Sequence, residues 1–439
     1  MKNIDRIRLW AIDNPVKTIV IIAACIRILV TILYQHIAIY PDSEDYITLA
    51  NRLLNFDLSG YEGERSPGYP LLLSLAHNSF VITSIFQSII GIITLVLTYK
   101  TLLMTGIRKE SSLIITLLAA CYLPILFFEF AILSETLTLF VIIIIFNLFF
   151  KIILKKRSKV NDYALLGLSS GYLVLIKPFY IFIPVLIVIF LLCSNLLIQR
   201  KFAAYISILI LPAFIFLGWS YINKVNTGYF TSTTFYGFNL AQNCVSFAEH
   251  TSDKYAEIGH IYARYRDINT AIDKDIAMSI WEAYPELKEE TGLSFPDLSK
   301  KLYDYSLTTI SMNPIGYVKQ VGISWLDFWK TSLYYEYDHI KVSSTAPMIK
   351  YVSLAERLIF QVIKILFVIL IPYNISCYFR RKDLTPQFTI SVVVLTASLL
   401  QALITYGTNS RFSFPFELLI LISVVLNIKQ YRMYLKEKS

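Results

Sequence analysis

The sequence predicts an all-α membrane protein whose helices cross the bilayer repeatedly. Three features indicate this: 56% of the 439 residues are hydrophobic, only 16% are charged, and the apolar residues are concentrated in runs. Runs such as TIVIIAACIRILVTILY and LFVIIIIFNLFFKIIL approach the roughly 20 residues that a helix needs to cross a bilayer core. An ordinary soluble domain is excluded, because it would be less apolar and would not segregate its apolar residues in this way.

Ten hydrophobic runs define the predicted spans, and nine to eleven is the expected range because the third to fifth are short or adjoin their neighbours. Residues 1–222 form a predicted transmembrane core with seven spans. Residues 223–354 form a polar segment long enough for a small domain, and residues 355–439 carry three spans and a basic tail. The spans lie approximately at 17–38, 80–103, 111–130, 133–154, 163–179, 180–198, 202–222, 355–377, 385–405 and 413–428.

The distribution of lysine and arginine predicts the orientation of these spans. Cytoplasmic loops carry an excess of basic residues, and alternate short loops of this chain are basic. Both termini are therefore expected in the cytoplasm, with loop 39–79 and segment 223–354 on the outer side of the cytoplasmic (inner or plasma) membrane. Lys177 and Arg411 are the exceptions in the short outer loops. The inner basic residues are Lys2, Arg6, Arg8, Lys17, Arg108, Lys109, Lys155, Lys156, Arg157, Lys159, Arg200, Lys201, Arg380, Arg381, Lys382, Lys429, Arg432, Lys436 and Lys438.

Several function classes are disfavoured by the composition. The net charge of +9 follows mostly from topology, and nucleic acid is not an expected partner because no basic face is interleaved with aromatic residues. Of the five cysteines only Cys244 lies clear of the spans, so no disulfide framework is expected. The chain shows no internal repeat, which weighs against the secondary transporters that are built from inverted repeats.

The loop between the first two spans contains the strongest candidates for chemistry, in the stretch PDSEDYITLANRLLNFDLSGYEGERSPGYP at residues 41–70. An amphipathic helix is predicted from its start, because Asp42 or Ser43 is a suitable N-cap and Glu44 and Asp45 favour the first turn. We expect this helix to lie in the membrane interface on its apolar stripe. The stripe comprises Tyr46, Leu49, Ala50, Leu53 and Leu54.

The second half of this loop ends in the sequence RSPGYP at residues 65–70. Two prolines around a glycine predict a sharp, rigid turn back toward the membrane. Arg65 begins the turn, and its planar guanidinium is suited to binding a phosphate. Helix capping explains one or two of the acids but does not explain this arginine, so the loop is predicted to form a site.

These residues resemble a known family. Asp42-Ser43, Tyr46, Ala50 and then Arg65-x-Pro67-Gly68-Tyr69-Pro70 resemble the first outer loop of the GT-C superfamily. Its members are integral-membrane glycosyltransferases that use polyprenyl-phosphate sugars, including protein mannosyltransferases and lipid A aminoarabinose transferases of glycosyltransferase family 39 type. Ser134-Glu135-Thr136-Leu137 resembles the family's second acidic position, and Arg411-Phe412-x-x-Pro415 resembles its late arginine and proline motif. The resemblance covers roughly residues 18–180 and 405–420 and does not extend to 223–354.

The resemblance implies a role for Asp42, and two further carboxylates are considered beside it. Asp42 is expected to be the catalytic base, because transfer with inversion needs a carboxylate to take the proton from the attacking hydroxyl. Asp45 lies three residues further along the predicted helix and is the alternative base. Glu135 is expected to orient the acceptor or a basic partner rather than to act as the base.

The cations of the outer loops complete the predicted site. A departing lipid phosphate gains negative charge as its bond to the sugar breaks, so positive groups should lie beside it. Arg65, Lys177 and Arg411 are the candidates for this role, and Tyr46 and Tyr69 are expected to line the substrate-binding loop.

No metal or other cofactor is expected, because a monophosphate leaving group needs a divalent ion less than a diphosphate does. The alternative is a divalent metal bound by Asp42 and Glu44, although helical positions two apart point in different directions. Arg27 and Lys364 lie within predicted spans and are further functional candidates, since charges in hydrocarbon are rare. The sequence names no partner for either.

Residues and resemblance together predict an inverting glycosyltransferase, a hexosyl- or pentosyltransferase, at the outer face of the membrane. It would move a sugar from a polyprenyl-phosphate donor to an envelope glycan, lipid or protein. A lipid-linked donor suits this location, because nucleotide sugars are absent outside the cell. The alternatives are a polymerase or ligase that uses a lipid-diphosphate oligosaccharide, and a transporter or flippase without bond chemistry.

Overall fold

The computed structural model describes residues 2–155, 160–194, 201–331, 339–407 and 409–438. These residues form helices and turns, and the described part contains no strand beyond an isolated bridge between Ala38 and Ala131. Four basic residues that contribute to the predicted orientation lie outside the described residues: Lys156, Arg157, Lys159 and Arg200.

The first half of the chain contains the helices of the predicted transmembrane core. They are α1 (Lys2–Asp13), α2 (Pro15–Tyr34), α3 (Pro41–Leu54), α4 (Gly68–Leu75), α5 (Phe80–Met104), α6 (Lys109–Cys121), α7 (Leu123–Glu129), α8 (Glu135–Lys155), α9 (Val160–Ile176), α10 (Phe182–Leu192) and α11 (Lys201–Thr227). A 3-10 turn, Pro178–Ile181, separates α9 from α10.

The second half contains shorter helices followed by three long hydrophobic segments. The shorter helices are α12 (Tyr236–Gln242), α13 (Ala256–Ala271), α14 (Ser279–Glu282), α15 (Tyr284–Thr291), α16 (Phe295–Met312) and α17 (Pro314–Phe328). The hydrophobic segments contain α18 (Ala346–Arg381), α19 (Pro386–Ile404), α20 (Asn409–Ser413) and α21 (Glu417–Lys438), with the 3-10 turn Phe414–Phe416 between the last two.

Seven of the described helical segments are long and apolar enough to cross a membrane, and the bent pair α6–α7 makes eight when it is counted as one span. Two further apolar segments, Val160–Ile176 and Pro178–Leu192, are shorter. Each of these segments overlaps one of the ten predicted spans. The protein is therefore an all-α polytopic membrane protein, as the composition predicts, although two of the predicted spans are short and one is broken.

The breaks and ends of the helices differ in places from the prediction. The third span bends by 54° between α6 and α7, where Tyr122 leaves the helical conformation with ψ 109°, because Pro124 cannot donate a helical hydrogen bond and its ring would clash with the carbonyl four residues before it. The freed amide of Leu123 instead donates to Glu356 Oε2 at 2.8 Å. In addition, α11 continues to Thr227 and α18 begins at Ala346, so both helices extend into the predicted 223–354 segment.

The membrane region has one large hydrophobic core, in which α8 and α21 are more enclosed than the other candidate spans. Phe146, Phe149 and Phe150 of α8 are almost completely buried. The turn Phe414–Phe416 packs against α8, and the ring of Phe414 lies 4.2 Å from that of Phe128. This packing fixes the start of α8 next to the chain segment that precedes α21.

Residues 228–331, called here the polar unit, have a separate hydrophobic core. The ring of Phe238 stacks between Trp281, at 4.5 Å, and Phe295, at 5.0 Å between centroids. The unit is joined to the membrane region by contacts between α17 and α19, including a 3.0 Å hydrogen bond from Trp325 Nε1 to Ser398 Oγ. It is thus a small folded body seated on the ends of the last spans.

The predicted amphipathic helix of the first loop is present as α3, but its apolar stripe contacts protein. Tyr46, Leu49 and Ala50 are buried, and α3 packs on α4. Leu49 lies in a cluster with Tyr61 and Trp219. The periodicity alone predicted contact with the bilayer, because a hydrophobic stripe does not reveal whether lipid or protein will cover it.

Candidate active site

The first turn of α3 is fixed by a proline at its start and by two hydrogen bonds of Ser43. Pro41 occupies the first helical position, where its fixed backbone and missing N–H are well tolerated. Ser43 Oγ accepts a hydrogen bond from the amide of Tyr40 at 2.9 Å and donates to the carbonyl of Ile132 at 2.8 Å. Asp42 and Ser43, expected as N-caps, instead lie inside the helix, and Asp42 projects from a turn that is fixed to the segment before α8.

The predicted turn at residues 65–70 is anchored against the end of α9. A Cβ atom on Gly68 would lie 2.4 Å from the amide nitrogen of Ile176, so only glycine permits this approach. Ser66 Oγ donates to the Ile176 carbonyl at 3.1 Å, and Tyr172 OH donates to the Gly68 carbonyl at 3.1 Å. Lys177 is the next residue after α9, so this close packing brings it to the same place as Arg65.

Six charged side chains meet here and form a chain of alternating sign, called below the charge chain: Lys177, Glu135, Arg411, Asp42, Arg65 and Asp45. Every one of them was a predicted site residue. They come from the ends of α3, α8, α9 and α20 and from the turn before α4. All of these ends are predicted on the outer side by the basic-residue pattern.

Asp42 lies between two arginines, one on each carboxylate oxygen. Arg65 Nη2 donates to Asp42 Oδ1 at 2.6 Å, and Arg411 Nη1 donates to Asp42 Oδ2 at 2.6 Å. The Asp42 side chain is 32% exposed, compared with 16% for Arg65 and 11% for Arg411. Asp42 is therefore more exposed to solvent than either of the arginines that it contacts.

Both arginines are also bound to a second carboxylate. Arg411 Nε donates to Glu135 Oε1 at 2.5 Å and its Nη2 to Glu135 Oε2 at 3.2 Å, which is the bidentate geometry that a guanidinium favours. Arg65 Nε donates to Asp45 Oδ2 at 3.1 Å. Lys177 Nζ donates to Glu135 Oε1 at 2.7 Å, so Glu135 is paired with two cations, and its orienting role stays a prediction.

The two aspartates of the charge chain differ in acidity. Burial opposes ionisation of Asp42, but the charges and hydrogen bonds of Arg65 and Arg411 outweigh it and hold the pKa of that carboxyl well below its usual range. Burial raises the pKa of Asp45, and Arg65 compensates only in part. In this state Asp42 is firmly ionised and only weakly basic.

Arg65 is enclosed by two aromatic rings. Its guanidinium carbon lies 4.9 Å from the ring centroid of Tyr46 and 4.4 Å from that of Phe235. Phe235 belongs to the polar unit and also packs edge-on against Trp281 and Phe295. Sequence reasoning missed Phe235, because it follows no motif and lies in the region to which the resemblance does not extend.

The polar unit also holds the backbone on either side of Arg65. The amide of Thr234 donates to the carbonyl of Gly63 at 2.9 Å, and Thr233 Oγ1 donates to the carbonyl of Glu64 at 2.6 Å. Gly63 adopts a positive φ of 81°, and a Cβ there would lie 2.8 Å from Thr234 Cγ2. The first loop and the polar unit therefore form one continuous wall of the site.

The segment that precedes Arg411 is held by the polar unit as well. Asn243 Nδ2 donates to the carbonyls of Ala402 and Leu403, both at 3.2 Å. These carbonyls end α19 and have no partner within the helix, so the amide satisfies them. Asn409 Nδ2 donates to the carbonyl of Ser324 at 2.9 Å. Both arginines that contact Asp42 are thus supported by residues 228–331.

Tyr46 and Tyr69 are buried, and their rings meet edge to face at 5.0 Å. Tyr69 OH donates to Gln87 Oε1 at 3.0 Å, and Tyr46 OH lies 3.4 Å from Ser134 Oγ. Burial raises the pKa of Tyr46, so its hydroxyl keeps its proton. Both rings support the helix that carries Asp42, and their contact with a substrate stays a prediction.

A metal site formed by Asp42 and Glu44 does not fit this arrangement. Each oxygen of Asp42 is already paired with an arginine, and Glu44 is exposed on the other side of the helix turn. Among the described residues, no group of three or more His, Cys, Asp or Glu side chains is arranged to hold a metal ion.

The charges predicted inside spans have partners that the sequence did not name. Arg27 Nη2 lies 2.5 Å from Glu129 Oε1, and Lys364 Nζ lies 2.8 Å from Glu417 Oε1, with all four side chains almost fully buried. Lys364 Nζ also donates at 2.8 Å to the Oγ atom of Ser413, which lies two residues after Arg411 in the chain. A Cβ on Gly91 would lie 1.9 Å from Glu129 Oε1, so this glycine leaves room for the first pair.

Comparison with known proteins gives a fold likeness only. No family model and no curated protein matches the chain. The solved archaeal oligosaccharyltransferase AglB from Archaeoglobus fulgidus, in complex with an inhibitory peptide and a dolichol-phosphate, is 12% identical with a TM-score of 0.48, over 98% of this chain and 52% of its own. The Archaeoglobus fulgidus oligosaccharyltransferase tethered to an acceptor peptide is also 12% identical, with a TM-score of 0.48, over 96% of this chain and 50% of its own. This chain spans about half the length of those proteins.

Proposed function

We propose that this protein is an inverting glycosyltransferase of GT-C type. It transfers a sugar from a polyprenyl-phosphate donor to an acceptor hydroxyl at the outer face of the cytoplasmic membrane. One observation carries the proposal: an accessible carboxylate, Asp42, contacts two enclosed arginines, and Glu135 links one of them to Lys177. A transfer of this kind needs a base for the acceptor and positive charge for the departing phosphate. Both are available within one connected group of side chains.

The proposed reaction proceeds in one displacement. The acceptor oxygen attacks the anomeric carbon and its proton passes to Asp42. The bond between that carbon and the phosphate oxygen breaks, and its electron pair remains on the phosphate. The cations of the charge chain stabilise this new charge, in a site from which the surrounding helices exclude much of the water. Asp45 remains the alternative base, and its contact with a single arginine leaves it less restrained than Asp42.

The proposal is tested in a deletion strain that is complemented with wild-type protein, Asp42→Asn or Glu44→Gln. Mass spectrometry of polyprenyl phosphates and envelope glycans is expected to show an accumulated lipid-phosphate sugar and an acceptor lighter by one sugar in the deletion strain. Wild-type and Glu44→Gln protein should restore both. The Asp42→Asn protein should restore neither although it is present in the membrane, because loss of the general base lowers the rate by about 10²–10⁴-fold.

The same experiment separates the alternatives. A polymerase or ligase would change glycan chain length and accumulate a lipid diphosphate. A transporter would accumulate its cargo on one side of the membrane without any missing glycosidic bond. Full restoration by Asp42→Asn would contradict the assignment of this residue as base.

A further inference from the structure

The charge chain is not symmetric about its centre. With all six groups ionised, Lys177, Glu135 and Arg411 together carry one net positive charge, whereas Asp42, Arg65 and Asp45 together carry one net negative charge. The contact between Arg411 and Asp42 joins these two ends. An incoming phosphate is therefore attracted to the Lys177–Arg411 end and repelled by the aspartate pair around Arg65.

The contacts of Arg411 allow it to serve two anions without leaving its place. Its Nε and Nη2 atoms are bound to Glu135, and the Glu135 side chain is completely buried at the start of α8. Only its Nη1 atom contacts Asp42. A small rotation of the guanidinium could transfer Nη1 from Asp42 to a phosphate while the contact with Glu135 persists.

Asp42 in its present contacts is poorly suited to accept a proton. Each of its oxygens receives a short charge-assisted hydrogen bond from an arginine, and such bonds stabilise the ionised carboxylate. Removing one of the two arginines weakens that stabilisation and makes the carboxylate a stronger base. The charge chain thus contains a base whose strength depends on where Arg411 is bound.

We propose that the donor phosphate frees the catalytic base: it binds between Lys177 and Arg411 and takes Nη1 of Arg411 away from Asp42. This inference rests on the proposed function and assigns the phosphate to one end of the charge chain. Arg65 then stays with the two aspartates and keeps Asp42 in position. Donor binding must therefore precede deprotonation of the acceptor. Without donor, Asp42 stays bound to both arginines and is too weak a base to deprotonate a bound acceptor.

The exchange is reinforced during the reaction and reversed after it. When Asp42 takes the acceptor proton it loses its negative charge, while the departing phosphate gains one, so Arg411 is attracted more strongly to the phosphate as the bond breaks. When the lipid phosphate leaves, Arg411 returns to Asp42 and lowers its basicity. The proton is then released to water, and the starting arrangement is restored.

The test measures binding of undecaprenyl phosphate, with undecaprenol as the lipid that lacks the phosphate, to the purified full-length protein in detergent. Wild-type protein should prefer the phosphate, and Arg411→Gln should reduce that preference. Because Asp42 competes with the phosphate for Arg411, Asp42→Asn should tighten phosphate binding by roughly fivefold or more, the lower end of typical coupling between two sites. Binding of undecaprenol should not change.

Two matched variants control for a general effect of charge. Glu44 lies in the same helical turn and is exposed, so Glu44→Gln removes one nearby negative charge without releasing an arginine. Asp45→Asn removes a carboxylate that contacts only Arg65. Both should change the affinity for undecaprenyl phosphate less than Asp42→Asn does, and Asp42→Ala should reproduce the tightening if Asp42→Asn proves unstable.

The outcomes separate this inference from the proposed function. Equal binding of undecaprenyl phosphate and undecaprenol by wild-type protein would contradict the proposal that the donor is a lipid phosphate. A phosphate preference that is unchanged or weaker in Asp42→Asn would overturn the exchange and leave the proposed function standing. An equal gain in Glu44→Gln would also overturn the exchange, because the gain would then come from bulk electrostatics.

Discussion

Two groups of charged residues in this protein differ in the number of partners that each charge has. Arg27–Glu129 and Lys364–Glu417 are closed pairs, almost fully buried among apolar helices. In the charge chain, by contrast, four members are each shared between two partners of opposite sign: Glu135, Arg411, Asp42 and Arg65. Asp42 is also about one-third exposed. A closed pair can only be kept or broken, whereas a shared charge can exchange partners when a new ion arrives.

The two groups also differ in the roles that we expect for chemically similar residues. A buried pair repays the large desolvation energy of its own two ions and adds little net stability, but losing one partner leaves an unpaired charge in hydrocarbon. In the charge chain the four inner members each have a second partner, so loss of one member leaves at most an end group, Lys177 or Asp45, without its ion pair. We therefore expect buried pairs to govern folding and the charge chain to govern activity.

The largest expected difference lies between two matched arginine variants. Arg27→Met should lower the free energy of unfolding by about 3–5 kcal/mol, because it leaves Glu129 buried and unpaired. Arg65→Met should reduce stability far less and should abolish transfer instead, since Asp42 keeps Arg411 and the unpaired Asp45 is 35% exposed to water. Thermal unfolding in detergent together with the complementation assay measures both effects. The double variant Arg27→Met/Glu129→Gln should recover much of the lost stability, and failure to recover it would show that the pair does more than neutralise itself.

A smaller effect is expected in the pH dependence of stability. The pKa of Asp42 is lowered, so its ion pairs contribute stability that is fully present above the ordinary Asp pKa of about 3.9 and is lost as the pH falls below it. The stability difference between wild type and Asp42→Asn should therefore stay constant from about pH 8 to pH 5 and shrink below about pH 4.

Asp45 is the control for this measurement, because burial raises its pKa. Its ionisation is less favourable in the folded state than in the unfolded chain, so its contribution should reduce stability as the pH rises from the ordinary Asp pKa of about 3.9 through the raised pKa. The comparison of wild type with Asp45→Asn should show this opposite sign. The same sign for both aspartates would mean that the arginines do not distinguish between them.

The smallest expected effect concerns the ring that the polar unit places over Arg65. Phe235→Leu keeps an apolar side chain but removes the cation–π contact, which is worth about 0.5–2 kcal/mol. We expect a loss of transfer activity of a few-fold to about 30-fold, with Phe235→Trp retaining activity. Equal losses in both variants would indicate that packing against Trp281 and Phe295, rather than the ring's charge distribution, is what matters.

Much of the fold was predictable because hydrophobic runs of sufficient length have one common solution in a bilayer. The bend at Pro124 and the extension of α18 to Ala346 were not predicted. A single proline and a gradual change in polarity are weak local signals beside the packing that decides where a helix ends. The sequence also did not reveal what packs against the apolar stripe of α3, since lipid or Trp219 would bury Leu49 equally well.

The candidate site was predictable as a set of residues but not as an arrangement. Asp42, Arg65, Glu135, Lys177 and Arg411 were all identified from loop position, residue type and resemblance. Their order along the charge chain was not, because Asp42 and Arg411 are separated by more than three hundred positions in the sequence. Phe235 gave no signal at all, since one phenylalanine in a polar segment looks like any other core residue.

The sequence by itself determined that the chain enters a membrane many times and that a few charges remain at the ends of its helices. Both follow from transfer energies, which depend on residue type and on nearest neighbours along the chain. Only the tertiary structure decided which charge pairs with which, because electrostatic contacts act over a few ångströms and depend on how the helices pack. That pairing made Asp42 a base held between two arginines, with Glu135 fixing the one that can be exchanged.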